Sequence, residues 1–576
     1  MICAVCGIAA VGLLLAASTR LDGIHEARQA MNLVSNEPLE NAPPSLAFAT
    51  VAMGAFRGLV VDILWMRADK LKDEGQFFDA KQLAEWITVL QPRFAAVWDF
   101  HGWNMAYNIS VAVPNTQPEE RWRWVRNGYE LIRDKGIEKN PHSIILYRSL
   151  AWIFQHKIGG VSDDCHMYYK RELALAMRPL LGDKSKEEFA DLAAAPSTLS
   201  ALKADARMTA FIDALRQTDP ALSDDEKLVK NYLSLRQNPG RFAPQAHEVI
   251  NLWRDTETLR QFDVFARAYQ LRSVWKLDID LMIRLNDRYG PTPMHDPNDH
   301  GPLNWEHPDV HAMYWAQKGL ETAGKPGTYS VDEKNTDRIV FHALQSLYRT
   351  GRLIMYEVPD YGPAVFVRPD LAMFDTCNQE WIKRIEKYEE LEKSNPKAVR
   401  GGHRNMLINA VLTFYQAGQQ AKAATVLAEL RRRYPQEEYN VPLISFVRRR
   451  IAEELDRVGG KDATELIAMT LREAYFRFAV RNDDEASGLE RWAKDVHDLY
   501  QTEMADGMRT ALPSFDIIRY VALRDFMEDP FYPEDLKLRL MGRIKLDRPD
   551  LFEKLIQQED VFRRRFEENK SQAPAS

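Results

Sequence analysis

The sequence predicts an all-α protein. Apolar residues return every three or four positions along most of the chain, whereas runs with the two-residue period of a strand are scarce. The connecting segments are short and contain proline or glycine. Because 576 residues exceed what a single compact core holds, we expect several domains or an extended helical array.

The composition is that of an ordinary folded protein. Hydrophobic residues make up 45% of the chain and charged residues 28%, which excludes a disordered protein. The net charge of −7 is small for this length. A nucleic-acid-binding protein normally carries a strongly basic domain, so we expect no nucleic-acid partner.

The first element in chain order is an apolar N-terminal segment. Residues 2–18 carry no charge, and their number is near the lower limit for a membrane span, about 17–25 residues. We predict that residues 1–19 form an uncleaved membrane anchor, with the body of the protein on the extracytoplasmic side of a bacterial cell membrane. A cleaved signal peptide is the alternative, although a basic n-region is missing. A buried helix is the third interpretation.

A tether and a buried helix follow this segment. Residues 20–44 end in Pro43-Pro44, which stiffens the chain, and Ser45 is suited to cap the next helix. The helix predicted at 45–72 is strongly apolar at first, but Arg57 and Asp62 interrupt it. We therefore expect a buried helix here and not a second membrane span.

The remaining helices follow from apolar periodicity and from the proline and glycine residues between them. Two segments break the helical pattern, 287–306 and 354–376, and the second is either a short hairpin or an irregular loop. The predicted helices are 78–90, 95–112, 117–138, 143–157, 163–180, 185–194, 197–217, 223–236, 243–254, 256–286, 308–322, 333–351, 378–394, 402–417, 420–433, 440–456, 462–479, 484–504, 513–528, 532–543 and 548–568.

Two stretches of nineteen residues repeat one pattern. They are EGQFFDAKQLAEWITVLQP, 74–92, and AGQQAKAATVLAELRRRYP, 417–435. In each, a glycine suits the tight turn between two helices, an alanine permits a close helix crossing, and a proline ends the unit. On the preceding helix, three apolar positions also match. The pairs are Gly75 and Gly418, Ala80 and Ala423, Pro92 and Pro435, Leu64 and Leu407, Ala68 and Val411, and Leu71 and Phe414.

This pattern resembles the tetratricopeptide repeat, a helix–turn–helix unit of 34 residues. Copies at about 61–92 and 404–435 match well, and a weaker third copy includes Gly102 and Gly128. The resemblance implies helical hairpins that stack into an α-solenoid. The segment around residues 39–71 is also similar to uncharacterised bacterial membrane-anchored proteins.

These patterns predict a domain order along the chain. After the anchor and tether we expect repeats, an irregular helical insertion with a Pro/His-rich loop, further repeats, a C-terminal helical region and a disordered tail. The corresponding ranges are 45–180, 181–306, 307–456, 457–568 and 569–576.

A cluster of histidines is the strongest sequence candidate for a metal site. His295, His300, His307 and His311 lie close together among several acidic residues, and nitrogen and oxygen donors of this kind bind divalent ions. However, no HExxH or comparable spacing is present. A solvated loop rich in turns explains the same residues equally well.

Cysteine provides little evidence of chemistry. Cys165 lies beside His166 and follows two aspartates, but sequence neighbours on a helix point in different directions. Asp163 and Asp164 are better explained as acidic residues that interact favourably with the dipole at the start of a helix than as catalytic residues. A disulfide between Cys165 and Cys377 remains open. No phosphate-binding or hydrolase motif is present, and we expect no cofactor.

The resemblance and the anchor together predict a membrane-anchored scaffold that docks partner proteins. An accessory subunit of an envelope or transport complex is one form that such a scaffold can take. Membrane-associated proteins are the expected partners. Groove residues in such arrays come from the first helix of each pair, and the candidates are Asn104, Asn108 and Arg148. The alternative is a metal-dependent enzyme that uses the histidines of 295–311.

Overall fold

The computed structural model describes residues 57–292, 300–324, 330–358, 362–392, 397–455, 460–504, 512–529 and 532–572. Within these residues the chain is almost entirely helical and contains one two-stranded sheet. The predicted all-α class is therefore confirmed. The predicted anchor and tether lie outside the described residues. In the described part of the chain, no helix is long and apolar enough to span a membrane.

The chain divides into two compact units. The first contains the described residues up to Tyr169 and His311–Val340, and the second contains Lys170–Val310 and the described residues from Phe341 onward. The predicted domain boundaries at 180, 306 and 456 follow sequence breaks, and they differ from this division. Three helices contribute residues to both units, so the division does not coincide with loops.

The N-terminal helices pair in sequence order. Three of them contain a π-helical segment, in which the hydrogen bonds run to the fifth residue instead of the fourth. The helices are α1 (Arg57–Asp73), α2 (Phe77–Leu90), α3 (Ala95–Trp103, π segment Asn104–Ile109, Ser110–Ala112), α4 (Pro118–Leu131, π segment Ile132–Gly136, Ile137–Lys139), α5 (Ile144–Trp152, π segment Ile153–Ile158) and α6 (His166–Met177).

Glycine permits a close crossing of α3 and α4. A Cβ atom at Gly128 would lie 2.7 Å from Gly102 O, and one at Gly102 would lie 2.5 Å from Ile132 Cδ1. Both distances are too short for a side chain. The glycines of the predicted third repeat therefore lie where two helices pack closely, and the repeat itself stays a prediction.

The middle of the chain forms a helical group with its own core in the second unit. Phe262 lies at the centre, with ring centroids 4.6 Å from Tyr232 and 5.3 Å from Phe211. The helices are α7 (Lys186–Ala194), α8 (Leu199–Leu202), α9 (Ala206–Arg216), α10 (Asp225–Gln237), α11 (Pro244–Leu252), α12 (Glu257–Tyr269, π segment Gln270–Val274) and α13 (Ile279–Tyr289).

Two helices predicted as continuous are broken. The predicted helix 197–217 is interrupted before α9, where the side chain of Asp205 accepts from Arg207 N. The predicted helix 256–286 ends before α13, because Lys276 has a φ of 56° and the side chain of Asp278 caps α13. In both cases an aspartate begins a new helix.

The C-terminal part combines helices with one β-hairpin. Strands β1 and β2 are antiparallel, with Arg352 opposite Arg368, so the hairpin alternative for 354–376 is the one observed. The elements are α14 (Pro308–Ala323), α15 (Val331–Thr350), β1 (Arg352–Val358), β2 (Gly362–Arg368), α16 (Phe374–Glu392), α17 (Lys397–Gln416), α18 (Gln420–Arg433), α19 (Leu443–Leu455), α20 (Gly460–Ala479), α21 (Asp483–Leu499, π segment Tyr500–Met504), α22 (Phe515–Glu528), α23 (Glu534–Asp547) and α24 (Pro549–Gln572).

The last helix corrects the predicted tail. Residues 569–572 belong to α24 and are not an irregular segment, because the helix that begins at Pro549 continues through them. Residues 573–576 lie outside the described residues.

The two repeated stretches form the same turn. Gly75 and Gly418 have φ values of 77° and 78°. In each turn, the glycine N–H donates to the carbonyl three residues earlier, at 3.0 Å, and the next N–H donates to the carbonyl five residues before it, at 2.8 and 2.9 Å. This is a Schellman motif, which needs a residue in the left-handed region. The sequence match therefore reflects matching backbone geometry.

Candidate functional site

The candidate site is an aromatic surface on α3 and α5 in the first unit. Each helix contributes two rings four residues apart, a spacing that places side chains on one helix face. Trp103 and Tyr107 stack with ring centroids 4.0 Å apart and an angle of 17°. Trp152 and His156 stack at 5.0 Å and 10°. We call these four residues the ring face.

A hydrogen bond joins the two ring pairs. Tyr107 Oη lies 3.3 Å from His156 Nδ1, and the centroids of these rings are 5.8 Å apart. Tyr107 belongs to the π segment of α3, and His156 belongs to the π segment of α5. Such segments are rare and often mark functional positions. Here each of the two residues that form the linking hydrogen bond lies in a π segment of its own helix.

The ring face is uncharged at neutral pH. Burial raises the pKa of Tyr107 above its ordinary value, so the phenol keeps its proton. Burial, and then the charge of Lys157, lowers the pKa of His156, so the imidazole is neutral. Trp103 and Trp152 are 38% and 37% exposed. The face therefore offers exposed aromatic carbon without a formal charge.

A buried network of charges fixes the end of α5. Asp163 accepts hydrogen bonds from Lys157 Nζ at 2.5 Å, Cys165 N at 2.9 Å, and Arg121 Nη1 and Tyr169 Oη at 3.2 Å. Burial alone would raise the pKa of Asp163, but the bonds from Lys157 and Cys165 N outweigh it and hold the pKa below its usual value. Asp163 is thus an ionised side chain that stabilises the end of α5 through hydrogen bonds. Its role is more than a favourable charge at the start of a helix.

Lys157 connects this network to the ring face. Its ammonium nitrogen lies 5.3 Å from the centroid of the Tyr107 ring, within the range of a cation–π contact. The side chain is only 3% exposed, and its charge is paired with Asp163. The positive charge consequently supports the ring of Tyr107 from inside the protein and is not presented to solvent.

The three residues predicted to contact a partner differ in burial and in their contacts. Asn104 is 1% exposed; its amide donates to Phe77 O at 2.9 Å and its oxygen accepts from Asn108. Its side chain is enclosed, so it is not available as a contact surface, and its role is to join α3 to α2. Asn108 is half-buried, and Arg148 forms an ion pair with Asp332. For these two, partner binding stays a prediction.

Sequence reasoning missed the ring face itself. The signal was present as WNMAY at 103–107 and WIFQH at 152–156, two matching pairs of rings at a spacing of four. The prediction favoured polar residues on the first helices of the pairs. It named residues on the same two helices, α3 and α5, but not the aromatic residues exposed on them.

The described histidines of the predicted metal cluster are engaged in other contacts. His300 Nδ1 lies 2.9 Å from Gly290 O, and His307 Nδ1 accepts from Asp309 N at 3.2 Å. His311 is fully buried and stacks on Phe154 at 5.1 Å. His295 lies outside the described residues, within which no three His, Cys, Asp or Glu side chains are grouped to hold a metal.

Both described cysteines are buried free thiols. Burial raises the pKa of Cys165, and it raises the pKa of Cys377 to about 12. A nucleophilic cysteine needs a lowered pKa, so the environment of each thiol favours the unreactive, protonated form. The disulfide that the sequence left open is not formed.

Comparison with known proteins finds no family model that matches the chain and no curated protein that is significantly similar to it. The function must therefore be argued from the residues themselves.

Proposed function

We propose that the protein is a membrane-anchored helical-repeat scaffold that docks partner proteins through the ring face, as an accessory subunit of an envelope or transport complex. The observation that carries the proposal is the pair of exposed tryptophans on neighbouring helices, each stacked on a second ring. Tryptophan and tyrosine are, with arginine, the residues enriched among the contacts that dominate binding energy at protein interfaces.

The uncharged ring face favours an extended, proline-containing or apolar segment of the partner. Grooves lined with aromatic side chains bind such segments, since the rings offer flat contact area and little conformational entropy is lost. The stacking of Trp103 on Tyr107 and of Trp152 on His156 holds the rings in place before binding. Preorganisation of this kind reduces the cost of association.

The decisive experiment is purification of the tagged full-length protein from its host membranes in mild detergent. Mass spectrometry identifies the chains that co-purify, and metal analysis accompanies it. We expect a stoichiometric partner with wild type and at least a tenfold loss with Trp103→Ala/Trp152→Ala. Val161→Ala, at a side chain 82% exposed in the same unit, is the control and should keep the partner. Circular dichroism verifies that each variant is folded.

Two results would contradict the proposal. Equal recovery of the partner with wild type and the double variant would remove the ring face as the docking surface. A solitary protein carrying about one equivalent of metal would support the metal-dependent enzyme that uses the 295–311 histidines. Asn108→Ala and Arg148→Ala, tested in the same way, decide whether these residues contribute.

The anchor has its own test. We expect wild type to remain in the membrane fraction during alkaline extraction, and a variant without residues 2–18 to be released. Protease added to spheroplasts should degrade the body of the protein if it lies on the extracytoplasmic side. Release of the wild-type protein at high pH would contradict the anchor.

A further inference from the structure

A second candidate site lies in the second unit, independent of the ring face. A cavity of about 270 Å³ is lined by the end of β2, the end of α17, and residues of α20 and α21. Arg368 and Arg477 contribute guanidinium groups to its wall, and Glu473 and Glu485 contribute carboxylates. We call it the arginine cavity.

Three guanidinium groups converge near this cavity. Arg352 and Arg368 are directly opposite each other in the β-hairpin, an arrangement that is unfavourable for like charges. The pKa of Arg368 is lowered to about 10, mainly by burial and also by the charges of Arg477 and Arg352, although Glu485 and Glu473 act in the opposite direction. Arg368 is therefore a cation whose surroundings favour an additional negative charge.

The acidic side chains of the cluster are already engaged by the other arginines. Arg477 donates from Nε to Glu473 and from Nη1 to Glu485 Oε2 at 2.8 Å. Arg352 Nε lies 3.4 Å from Asp370 Oδ1. These contacts pair the carboxylates with Arg477 and Arg352.

Within the described part of the chain, Arg368 has no comparably close contact with a carboxylate. The oxygen paired with it, Glu485 Oε2, is 3.9 Å from its Nη1 and already accepts from Arg477. The Nε and Nη1 atoms of Arg368 are buried and have no hydrogen-bond partner among the described residues, and the side chain is only 13% exposed. Leaving buried donors of a charged group unsatisfied is costly, so the position is better suited to binding an acceptor than to supporting the fold.

The rest of the cavity wall selects the kind of anion. Phe366, Pro369, Leu371, Ala417 and Leu489 provide apolar surface beside Arg368. The volume equals that of roughly nine water molecules in the liquid. The neighbouring glutamates disfavour a dianion such as phosphate, whereas a single carboxylate with a small apolar substituent matches both the charge and the wall.

We propose that the arginine cavity binds a monocarboxylate with a small apolar body, whose oxygens accept hydrogen bonds from the guanidinium of Arg368. Two sources share this chemistry: a free carboxylic acid and the C-terminus of a polypeptide. A larger cavity of about 610 Å³ shares Leu371 and Glu485 with the arginine cavity, which leaves room for a longer ligand.

Isothermal titration of the purified full-length protein tests the proposal. The probes are isobutyrate, isobutyramide as its uncharged match, inorganic phosphate, and an acetylated valine-terminated tripeptide as free acid and as amide. We expect at least one of the two free carboxylates to bind, and neither amide nor phosphate to do so. Binding of isobutyrate identifies a free acid as a ligand, and binding of only the tripeptide acid identifies a chain terminus.

Variants assign the binding to the cavity. Arg368→Gln should weaken carboxylate binding at least tenfold, and Ala417→Leu should do the same by filling the volume without changing a charge. Arg524→Gln, at a side chain 51% exposed elsewhere in the unit, should bind like wild type. If Arg368→Gln does not fold, Ala417→Leu alone tests whether the carboxylate binds in the arginine cavity. The proposal is overturned if no carboxylate binds at 10 mM, if phosphate or an amide binds equally well, or if the folded cavity variants bind as wild type does.

Discussion

The hairpins α1–α2 and α17–α18 form the same turn but differ in what surrounds it. A Cβ atom at Gly75 would meet no atom within 4 Å, whereas one at Gly418 would lie 2.8 Å from Asp484 O. Leu64 is half-buried, and its counterpart Leu407 is fully buried. The local pattern determines the turn in both hairpins. The depth of burial depends on neighbouring helices, such as α21 against α17, which the pattern does not contain.

The largest difference should come from the matched leucines. We expect Leu407→Ala to lower the free energy of unfolding by about 2–5 kcal/mol, because it leaves a cavity in a packed core. Leu64→Ala should cost only about 1 kcal/mol, since its side chain already reaches solvent. Urea unfolding followed by circular dichroism, with hydrogen exchange of each hairpin, measures both. Equal losses in the free energy of unfolding for the two variants would contradict the proposed difference in packing.

The contact between the second turn and α21 is tested at Gly488. A Cβ atom there would lie 2.1 Å from Gln416 O and 2.3 Å from Gly418 N, both backbone atoms that cannot rotate away. We expect Gly488→Ala to cost about 3 kcal/mol in urea unfolding. Gly542→Ala is the matched control, because a Cβ atom there meets nothing and alanine stabilises a helix by about 0.5–1 kcal/mol. If Gly488→Ala left the free energy of unfolding unchanged, the contact between this turn and α21 would not be tight.

Acid should weaken the second hairpin through His403. Its Nδ1 lies 2.8 Å from Tyr434 Oη and its Nε2 lies 2.7 Å from Asn378 Oδ1, and burial lowers its pKa from 6.5 to about 4. Between these two values the unfolded chain binds a proton that the folded chain does not. Stability should therefore fall as the pH drops, by about 1.4 kcal/mol per pH unit from this group.

The measurement compares urea unfolding of wild type and His403→Gln from pH 7 to pH 4. Glutamine retains hydrogen-bonding groups but does not titrate, so its stability should depend less steeply on pH. Parallel curves for the two proteins would show that His403 does not titrate as proposed.

The smallest effect is expected at the turn glycines themselves. Gly75→Ala should cost about 1 kcal/mol, because alanine is strained at positive φ, and Gly75→Asn should recover most of it. Gly418→Ala should cost more than Gly75→Ala, since its methyl group also approaches Asp484 O. Thermal unfolding of the three variants measures the order. A larger loss at Gly75 would reverse the comparison.

The sequence predicted most helices and the paired turns, because periodicity and glycine act locally. It did not predict the breaks before α9 and α13, where Asp205 and Asp278 begin new helices within apolar periodicity that continues through them. Nor was the arginine cavity accessible to sequence reasoning. Arg368 and Arg477 come from distant parts of the chain, and only the packing of β2 with α20 brings them together.

The π segments of α3, α4 and α5 have a consequence for how this protein can change in evolution. Each acts as a one-residue insertion, and a single residue corresponds to a rotation of about 100° around a helix. Removing one residue from 104–106 would restore a regular helix and change the direction of the side chains on one side of the deletion relative to the other. The bond between Tyr107 and His156 thus depends on the number of residues in each helix as well as on their identity, and length variants at these segments should be tolerated less than substitutions.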